Sequence, residues 1–149
     1  ALCRDVENIV GAKDSSGDTE NLKAYIRLTR ELEKDVRIFA GKDDAILTCL
    51  QEGGAGGIAG RTNIWPRTVT RIYDCYMAGD LAGAQAAQDA VVGLQRAYKY
   101  GSPHVIIKTA VALQGYPVGS CRAPFNEVPE EGLAEIRKVL AENAARGLN

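Results

Sequence analysis

The sequence predicts an α/β fold, in which parallel β-strands alternate with helices and a wholly helical region follows. In residues 8–62, short apolar runs alternate with helical patterns through tight connections, which is typical of parallel βα units covered by helices. In residues 64–147 one helical pattern follows another, and no repeat or charge block marks a linker. With 149 residues, 46% apolar and 25% charged, the chain has the size and composition of one compact domain.

Three short strands are expected in the first part of the chain. Three strands cannot close a barrel, and they leave at least one open edge that needs cover. We therefore expect them to form part of a larger sheet. They are assigned to residues 8–13, 36–41 and 57–60.

Helices are predicted wherever apolar residues recur at steps of three and four. Asp18 or Thr19 is the expected cap of the first helix, because both side chains can accept hydrogen bonds from free backbone amides. Pro66 begins the third helix and Gly79 ends it. The predicted helices cover residues 22–32, 43–53, 66–78, 81–98, 103–113 and 130–140.

Charge and hydropathy exclude several classes of protein. Eighteen basic and nineteen acidic side chains leave a net charge of −1, so the chain lacks the positive excess that nucleic-acid binding requires. The longest apolar stretch, residues 105–113, is interrupted by Lys108 and has about half the length of a membrane span. The sequence therefore predicts neither a nucleic-acid-binding module nor a membrane protein.

Cysteine usage indicates a reducing compartment. The four cysteines form no CxxC pair and the chain has one histidine, so the ligands of a structural zinc site are lacking. We expect reduced, mostly buried thiols and a cytoplasmic protein. No leader segment opens the chain, and it begins Ala-Leu-Cys without an initiator methionine, which suggests a processed or truncated product.

Lys13 is the residue with the most direct chemical interpretation. It is the last side chain on its face of the first predicted strand, at the carboxyl end, where parallel βα folds place their active sites. Gly11, two residues earlier on that face, leaves space beneath it. An amine in a walled, apolar slot loses its proton more easily and can attack a ketone to form a Schiff base. From spacing alone, a strand-end lysine that reaches into solvent is the simpler interpretation.

Three ordered motifs, at residues 8–18, 41–44 and 53–60, resemble segments of the dihydrodipicolinate synthase and N-acetylneuraminate lyase family of class I aldolases. Residues 8–18, Asn-Ile-Val-Gly-Ala-Lys-Asp-Ser-Ser-Gly-Asp, are similar to the family's Schiff-base-lysine segment. Residues 41–44, Gly-Lys-Asp-Asp, resemble the turn after its seventh strand, and residues 53–60 resemble its eighth strand with the approach to it. Residues 63, 66, 79–80 and 121–124 match later landmarks.

This resemblance covers nearly the whole chain and implies the carboxyl-terminal part of a (β/α)₈ TIM barrel. Residues 1–62 would form βα units six to eight, and residues 63–149 the closing helix and a helical extension. The family's first five strands, which carry a carboxylate pocket and a proton-relaying tyrosine, have no counterpart here. A complete barrel needs roughly 250 residues. The implied partners are the missing half of the barrel, as a separate chain or as unseen residues, and further copies in a homo-oligomer, usually a tetramer.

The resemblance also implies a role for individual residues. Lys13 would form an imine with pyruvate or another 2-oxo acid, and the protonated imine would withdraw electrons so that a carbon–carbon bond can break or form. No metal or organic cofactor is implied. Five further positions match substrate-binding places of the family, namely Gly41 and Ile58 through their backbone at the pyruvate pocket, and Ser15, Asp43 and Asp44 beside substrate hydroxyls.

The substrate and the role of the aspartates remain open. Gly60 stands where neuraminate lyases commonly have serine, and Lys-Asp-Ser-Ser-Gly-Asp differs from the Lys-Glu-Ala-Thr-Gly form usual in lysine-pathway synthases. These departures favour a 4-hydroxy-2-oxo or 3-deoxy-2-oxo acid as substrate. The alternatives are a dihydrodipicolinate synthase, which condenses pyruvate with aspartate semialdehyde, and a non-catalytic half-barrel that acts as a structural or interaction module. Asp43 and Asp44 could equally cap the helix that begins at Asp43.

Overall fold

Three parallel strands and a helical region make up the fold in the computed structural model, which describes residues 1–125 and 127–148. The strands within these ranges are β1 (Gly11–Asp14), β2 (Arg37–Ala40) and β3 (Gly56–Gly57), and they lie in the order β1-β2-β3. The predicted α/β class, the strand count and the parallel arrangement are confirmed. Asn126 and Asn149, which belong to the predicted helical extension, lie outside the described residues.

The strands are shorter than predicted because the chain turns sharply at their ends. Before β1, a turn closed by the Ile9 amide and the Val6 carbonyl occupies residues assigned to the strand. After β3, the Ile58 amide still donates to the Ala40 carbonyl at 2.9 Å, and the chain then enters a 3₁₀ helix, Gly60–Asn63. The expected strands at residues 8–10 and 58–60 are therefore wrong.

The helices of the first part follow the strands. A short helix, α1 (Leu2–Asp5), precedes β1, and α2 (Thr19–Arg30) connects β1 to β2. The Asp18 carboxylate accepts from the Glu20 and Asn21 amides, which confirms the predicted cap of α2. After β2, a single 3₁₀ turn (Asp43–Ala45) leads into α3 (Ile46–Gln51), so the predicted helix from Asp43 is α-helical only from Ile46.

In the second part, every regular element of the described residues is a helix, as predicted. Pro66 begins α4 (Pro66–Met77) and Gly79, with φ of +79°, follows its end. The single helix predicted over residues 81–98 divides into α5 (Leu81–Val92) and a 3₁₀ helix, Gly93–Tyr100. In the 3₁₀ helix a three-residue period puts the buried side chains of Leu94 and Ala97 on one face. The last helices are α6 (Pro103–Leu113) and α7 (Glu130–Ala145).

Three clusters of buried side chains form the core, and one of them joins the two parts. One lies between the sheet and helices α2 and α3, and a second joins α3 to α4 and α5. The third holds the helical region together. Its members come from the segment before α4, the 3₁₀ helix after α5, α6 and α7, and are Ile64, Trp65, Leu94, Ala97, Ile106, Ala110, Val111, Ile136 and Val139.

Within this chain, helices cover one face of the sheet. Ile38 and Ala40 of β2 are buried against α2 and α3, whereas the alternating Arg37 is exposed and Phe39 is half-buried. Lys13 is the register partner of Phe39, so both side chains belong to the less covered face. Parallel sheets are usually buried on both faces, which agrees with the expectation that these strands belong to a larger sheet.

The thiols are unpaired but less buried than predicted. Cys49 is buried, and burial raises its pKa, although amide hydrogen bonds act in the other direction. Cys3, Cys75 and Cys121 are half-buried, so the expectation of mostly buried thiols is wrong. Across residues 1–125 and 127–148, no helix combines the length and the apolar character needed to span a bilayer.

Candidate active site

The carboxyl ends of the three strands bring together three residues that the sequence singled out. Lys13 is the third of the four residues of β1, Gly41 directly follows β2, and Ile58 directly follows β3. The Gly41 amide donates to the Asp14 carbonyl at 2.6 Å, and the Ile58 amide donates to the Ala40 carbonyl at 2.9 Å. The predicted site residues from different strands are therefore neighbours at the edge where parallel βα folds carry their active sites.

Gly41 is the point at which the side chains of Lys13 and Ser15 meet. A Cβ atom at position 41 would clash with the Ser15 hydroxyl oxygen and would lie 2.7 Å from Lys13 Cε and 2.8 Å from the Asp14 carbonyl oxygen. Only a residue without a side chain leaves this space free. Glycine at 41 thus allows the lysine side chain to lie across the backbone of the neighbouring strand.

Lys13 is exposed in this chain. The sheet walls it on one side, through Gly41 and through the face that also carries Phe39. The other sides are open, since three strands supply only part of a barrel wall. The closed, apolar slot predicted around Lys13 is therefore not formed by the described residues alone.

Hydrogen bonds among its own residues fix the loop after β1. The Asp14 carboxylate accepts from the Ser16 amide at 2.9 Å and from the Ser16 hydroxyl at 3.0 Å, and the Ser16 hydroxyl accepts from the Asp18 amide. Partial burial acts to raise the pKa of Asp14, but the hydrogen bonds from Ser16 and Asn21 outweigh it and hold that pKa below its ordinary value. The loop therefore holds the exposed Ser15 beside Gly41.

Asp43 takes part in the structure of the site rather than facing solvent. Its Oδ1 accepts from the Arg61 backbone amide at 2.7 Å, and its Oδ2 lies 3.9 Å from the Arg61 Nε. It caps the 3₁₀ helix after β3, so the expected capping of the helix that begins at Asp43 is wrong. Its carbonyl accepts from Gln88 Nε2 at 2.7 Å.

Asp44 is exposed and lines a polar cleft of about 260 Å³ between the loops after β1 and β2. The cleft is also lined by Lys42, Asp14 and Thr19. Of the two aspartates, Asp44 is thus the one whose carboxylate is open to a ligand. No group of three or more His, Cys, Asp or Glu side chains in the described part of the chain could hold a metal ion.

Sequence reasoning missed Arg61 and Gln88, which hold the edge of the site. Arg61 is buried, with 3% of its surface exposed, and Gln88 has 5% exposed. A signal for each was present. Arg61 is the one charged residue in the glycine-rich segment at 53–60 and its continuation to 64, and Gln88 interrupts an alanine-rich apolar stripe of α5.

This chain matches one family model and is similar to several known proteins. Residues 1–143 match the family model described as Dihydrodipicolinate synthetase family. The 4-hydroxy-tetrahydrodipicolinate synthase of Methanoculleus marisnigri is 35% identical over 133 residues, which cover 89% of this chain and 45% of that protein. The Escherichia coli protein named "Probable 2-dehydro-3-deoxy-D-pentonate aldolase YjhH" is 31% identical, over 90% of this chain and 45% of its own.

A solved structure shows the same relation. YagE of Escherichia coli K12, described as a prophage protein of the dihydrodipicolinic acid synthase family in complex with pyruvate, superposes with a TM-score of 0.83 at 25% identity. The superposition covers 91% of this chain and 46% of YagE. This chain thus spans about half the length of the relatives it matches, and the matched half is the carboxyl-terminal one. The chain belongs to the dihydrodipicolinate synthetase family, and its fold is part of that family's TIM barrel.

Proposed function

We propose that this chain supplies the reactive lysine and one wall of the active site of a pyruvate-dependent class I aldolase. The observation that carries the proposal is the position of Lys13. It lies at the carboxyl end of a parallel strand, and its side chain crosses Gly41 beside the Ser15 hydroxyl. The relatives named as synthases and as an aldolase support an enzyme of this class.

The proposed chemistry begins at Lys13 Nζ. The neutral amine attacks C2 of a 2-oxo acid, and uptake of a proton with loss of water leaves a protonated imine. In cleavage, the C4 hydroxyl loses its proton, the C3–C4 bond breaks, and its electron pair moves into the imine as the aldehyde departs. The resulting enamine takes a proton at C3, and hydrolysis releases pyruvate and restores Lys13. Synthesis is the reverse sequence.

The remaining walls of the site come, in this proposal, from strands one to five of the barrel. They would be on the same polypeptide or on a separate chain. They would exclude water from Lys13, which favours the neutral amine, and supply the base that takes the C4 hydroxyl proton. The proposed complete protein is a homo-oligomer, as the resemblance implies.

The substrate we favour is a 4-hydroxy-2-oxo or 3-deoxy-2-oxo acid. Ser15 is exposed beside Gly41, and Asp44 is exposed in the loop after β2; both side chains are of the type that binds the hydroxyl groups of a substrate tail. The 31% identical relative named as an aldolase of a 2-dehydro-3-deoxy acid supports this class. A second candidate is the synthase reaction of pyruvate with aspartate semialdehyde, which is supported by the 35% identical relative named as a synthase.

The experiment that tests the imine is reduction with borohydride in the presence of pyruvate, using the protein with its complete barrel. We expect a pyruvate adduct on the peptide that contains Lys13, and its loss in Lys13→Met. Lys23→Met is the matched control, because Lys23 is paired with Glu20 on α2 and should leave the adduct intact. Absence of the adduct from the folded wild-type protein would contradict the proposal. Rates of cleavage and of condensation with the two substrate classes then separate the two reactions.

A further inference from the structure

Arg61 is a buried cation that the proposed chemistry does not use. Its Nε donates to the Tyr98 hydroxyl at 3.0 Å, its Nη1 donates to the Val91 carbonyl at 3.0 Å, and its Cζ lies 5.1 Å from the centre of the Tyr98 ring. Val91 is in α5 and Tyr98 is in the 3₁₀ helix that follows. The guanidinium is therefore anchored in the helical region, although Arg61 itself belongs to the loop after β3.

Arg61 also connects two loops of the candidate site. The Arg61 backbone amide donates to Asp43 Oδ1 at 2.7 Å, and Asp43 lies two residues after Gly41. The Asp43 side chain is 13% exposed, so this contact is largely shielded from water. Arg61 thereby connects the loop after β3 with the loop after β2.

Gln88 holds the loop after β2 from the other side. Its Nε2 donates to the Asp43 carbonyl at 2.7 Å, and its Oε1 accepts from the Leu47 amide at 2.9 Å. The two ends of one side-chain amide thus bond to Asp43, in this loop, and to Leu47, in the first turn of α3. A buried amide that makes two such bonds fixes position as well as orientation, since losing either leaves a polar group unpaired.

We propose that Arg61, Asp43 and Gln88 form a clamp through which the helical region positions the backbone at Gly41 and Ile58 for binding of a 2-oxo acid. The segment that leads through β3 has glycine at 53, 54, 56, 57 and 60, so its own conformational preferences are weak. Contacts with other segments therefore fix where Ile58 lies, namely the bond of its own amide to the Ala40 carbonyl and the bond of the Arg61 amide to Asp43. The inference rests on the proposed function, because these backbone positions matter for binding only if pyruvate binds at this edge.

A clamp of this kind predicts a specific kinetic change. If it aligns backbone groups that hold the substrate in the ground state and in the transition state alike, its loss raises KM and leaves kcat nearly unchanged. We expect KM for the 2-oxo acid to rise about tenfold in Gln88→Ala, with kcat within about threefold of wild type. A purely structural role predicts a lower Tm with unchanged KM in the folded variant.

The test uses Gln88→Ala, Tyr98→Phe and Arg61→Lys in the protein with its complete barrel, at a temperature at which each variant is folded. Gln85→Ala is the matched control, because Gln85 is exposed on the same helix and bonds to Asp89. KM, kcat and amide hydrogen exchange over residues 57–62 are measured. We expect higher KM and faster exchange in all three variants, and neither change in the control. Tyr98→Phe keeps the ring under the guanidinium and should give the smallest effect.

The outcomes distinguish this inference from the function on which it rests. A wild-type protein that traps no pyruvate adduct on Lys13 overturns both. A wild-type protein with a normal adduct, together with variants whose KM equals that of Gln85→Ala, overturns the clamp alone. If one variant fails to fold, the other two still decide the result.

Discussion

The two sides of the candidate site are stabilised in different ways. The loop after β1 is closed by hydrogen bonds among Asp14, Ser16 and Asp18, which are at most four positions apart. The loop after β2 depends on Arg61, 18 positions along the chain from Asp43, and on Gln88, 45 positions from it. The lysine side of the site is thus locally determined, whereas the opposite side depends on the helical region.

The loops after β1 and β2 therefore become ordered in different ways, although they lie at the same edge of the sheet. Bonds between near neighbours need little loop closure, so the loop after β1 can form once β1 and α2 are in place. Bonds from the helical region form only when the clusters around α5 and the 3₁₀ helix after it have packed. A change in the helical region should therefore disturb Gly41 and Ile58 before it disturbs Ser15.

The largest loss of stability is expected when the long-range contacts of the Arg61 side chain are removed. In Arg61→Met, the Tyr98 hydroxyl and the buried Val91 carbonyl lose their donor, and Asp43 loses the cation beside its carboxylate. We expect a loss of about 3 kcal/mol in the free energy of unfolding. Urea denaturation measures it. Arg67→Met, at an exposed site on α4, is the control, and an equal loss in both variants would refute the role of Arg61.

Gly41→Ala is expected to cause the second-largest loss of stability, because Gly41 lies where the loops after β1 and β2 are in contact. The new methyl group would lie 2.7 Å from Lys13 Cε and 2.8 Å from the Asp14 carbonyl oxygen, so β1 and β2 would have to separate. We expect about 1–3 kcal/mol of destabilisation, together with slower trapping of pyruvate on Lys13.

The control for that change is Gly93→Ala. A Cβ at position 93 would lie 3.7 Å from Val139 Cγ1, an ordinary contact, and φ at Gly93 is −50°. This variant should be as stable as wild type or more so. If Gly41→Ala unfolds at the same urea concentration as Gly93→Ala, the crowding at Gly41 has been overestimated.

Sequence reasoning succeeded where structure depends on near neighbours. The cap at Asp18, the helix start at Pro66 and the turn at Gly79 are each decided within a few residues. The parallel arrangement was predictable from the alternation of apolar runs and helical patterns. Lys13 could be located at a strand end from the same alternation, and the resemblance of residues 8–18 predicts the chemical role that is proposed for it.

What sequence reasoning missed depends on distant contacts. Nothing near Asp43 indicates that its carboxylate is used by Arg61 and its carbonyl by Gln88. The division of the helix predicted over residues 81–98 reflects the packing of Leu94 in a cluster with α7. The predicted enclosure of Lys13 was wrong for a related reason. The three strands of the described residues cover the amine on one side, and its other neighbours would have to come from elsewhere.

A smaller loss of stability is expected when the N-terminal cap of α2 is removed, and this change tests the locally determined loop after β1. Asp18→Ala removes the acceptor for the Glu20 and Asn21 amides, which should cost about 1 kcal/mol of unfolding free energy. Asp18→Asn keeps an acceptor oxygen and should lose only a few tenths of that. Amide exchange should rise in the first turn of α2 and stay unchanged over residues 57–62. Faster exchange over residues 57–62 would contradict the independence of the two sides.

The smallest effect is the response of the loop after β1 to acid. The pKa of Asp14 is lowered in the folded chain, against the effect of its partial burial, because Ser16 and Asn21 donate hydrogen bonds to the carboxylate. A lowered folded pKa gives stability that is complete above the unfolded pKa of about 4, and that is lost as the pH falls through the folded value. Asp14→Asn should therefore lose less stability on acidification than wild type does.

Ser16→Ala separates the hydrogen bonds from the carboxylate itself. Without the Ser16 hydroxyl, one of the bonds that lower the Asp14 pKa is gone, so the carboxylate should protonate at a higher pH, as followed by its carbon chemical shift. The change should be confined to the local side, with the exchange of residues 57–62 as in wild type. A titration of Asp14 that is identical in Ser16→Ala and in wild type would show that the Ser16 hydroxyl does not stabilise the Asp14 carboxylate.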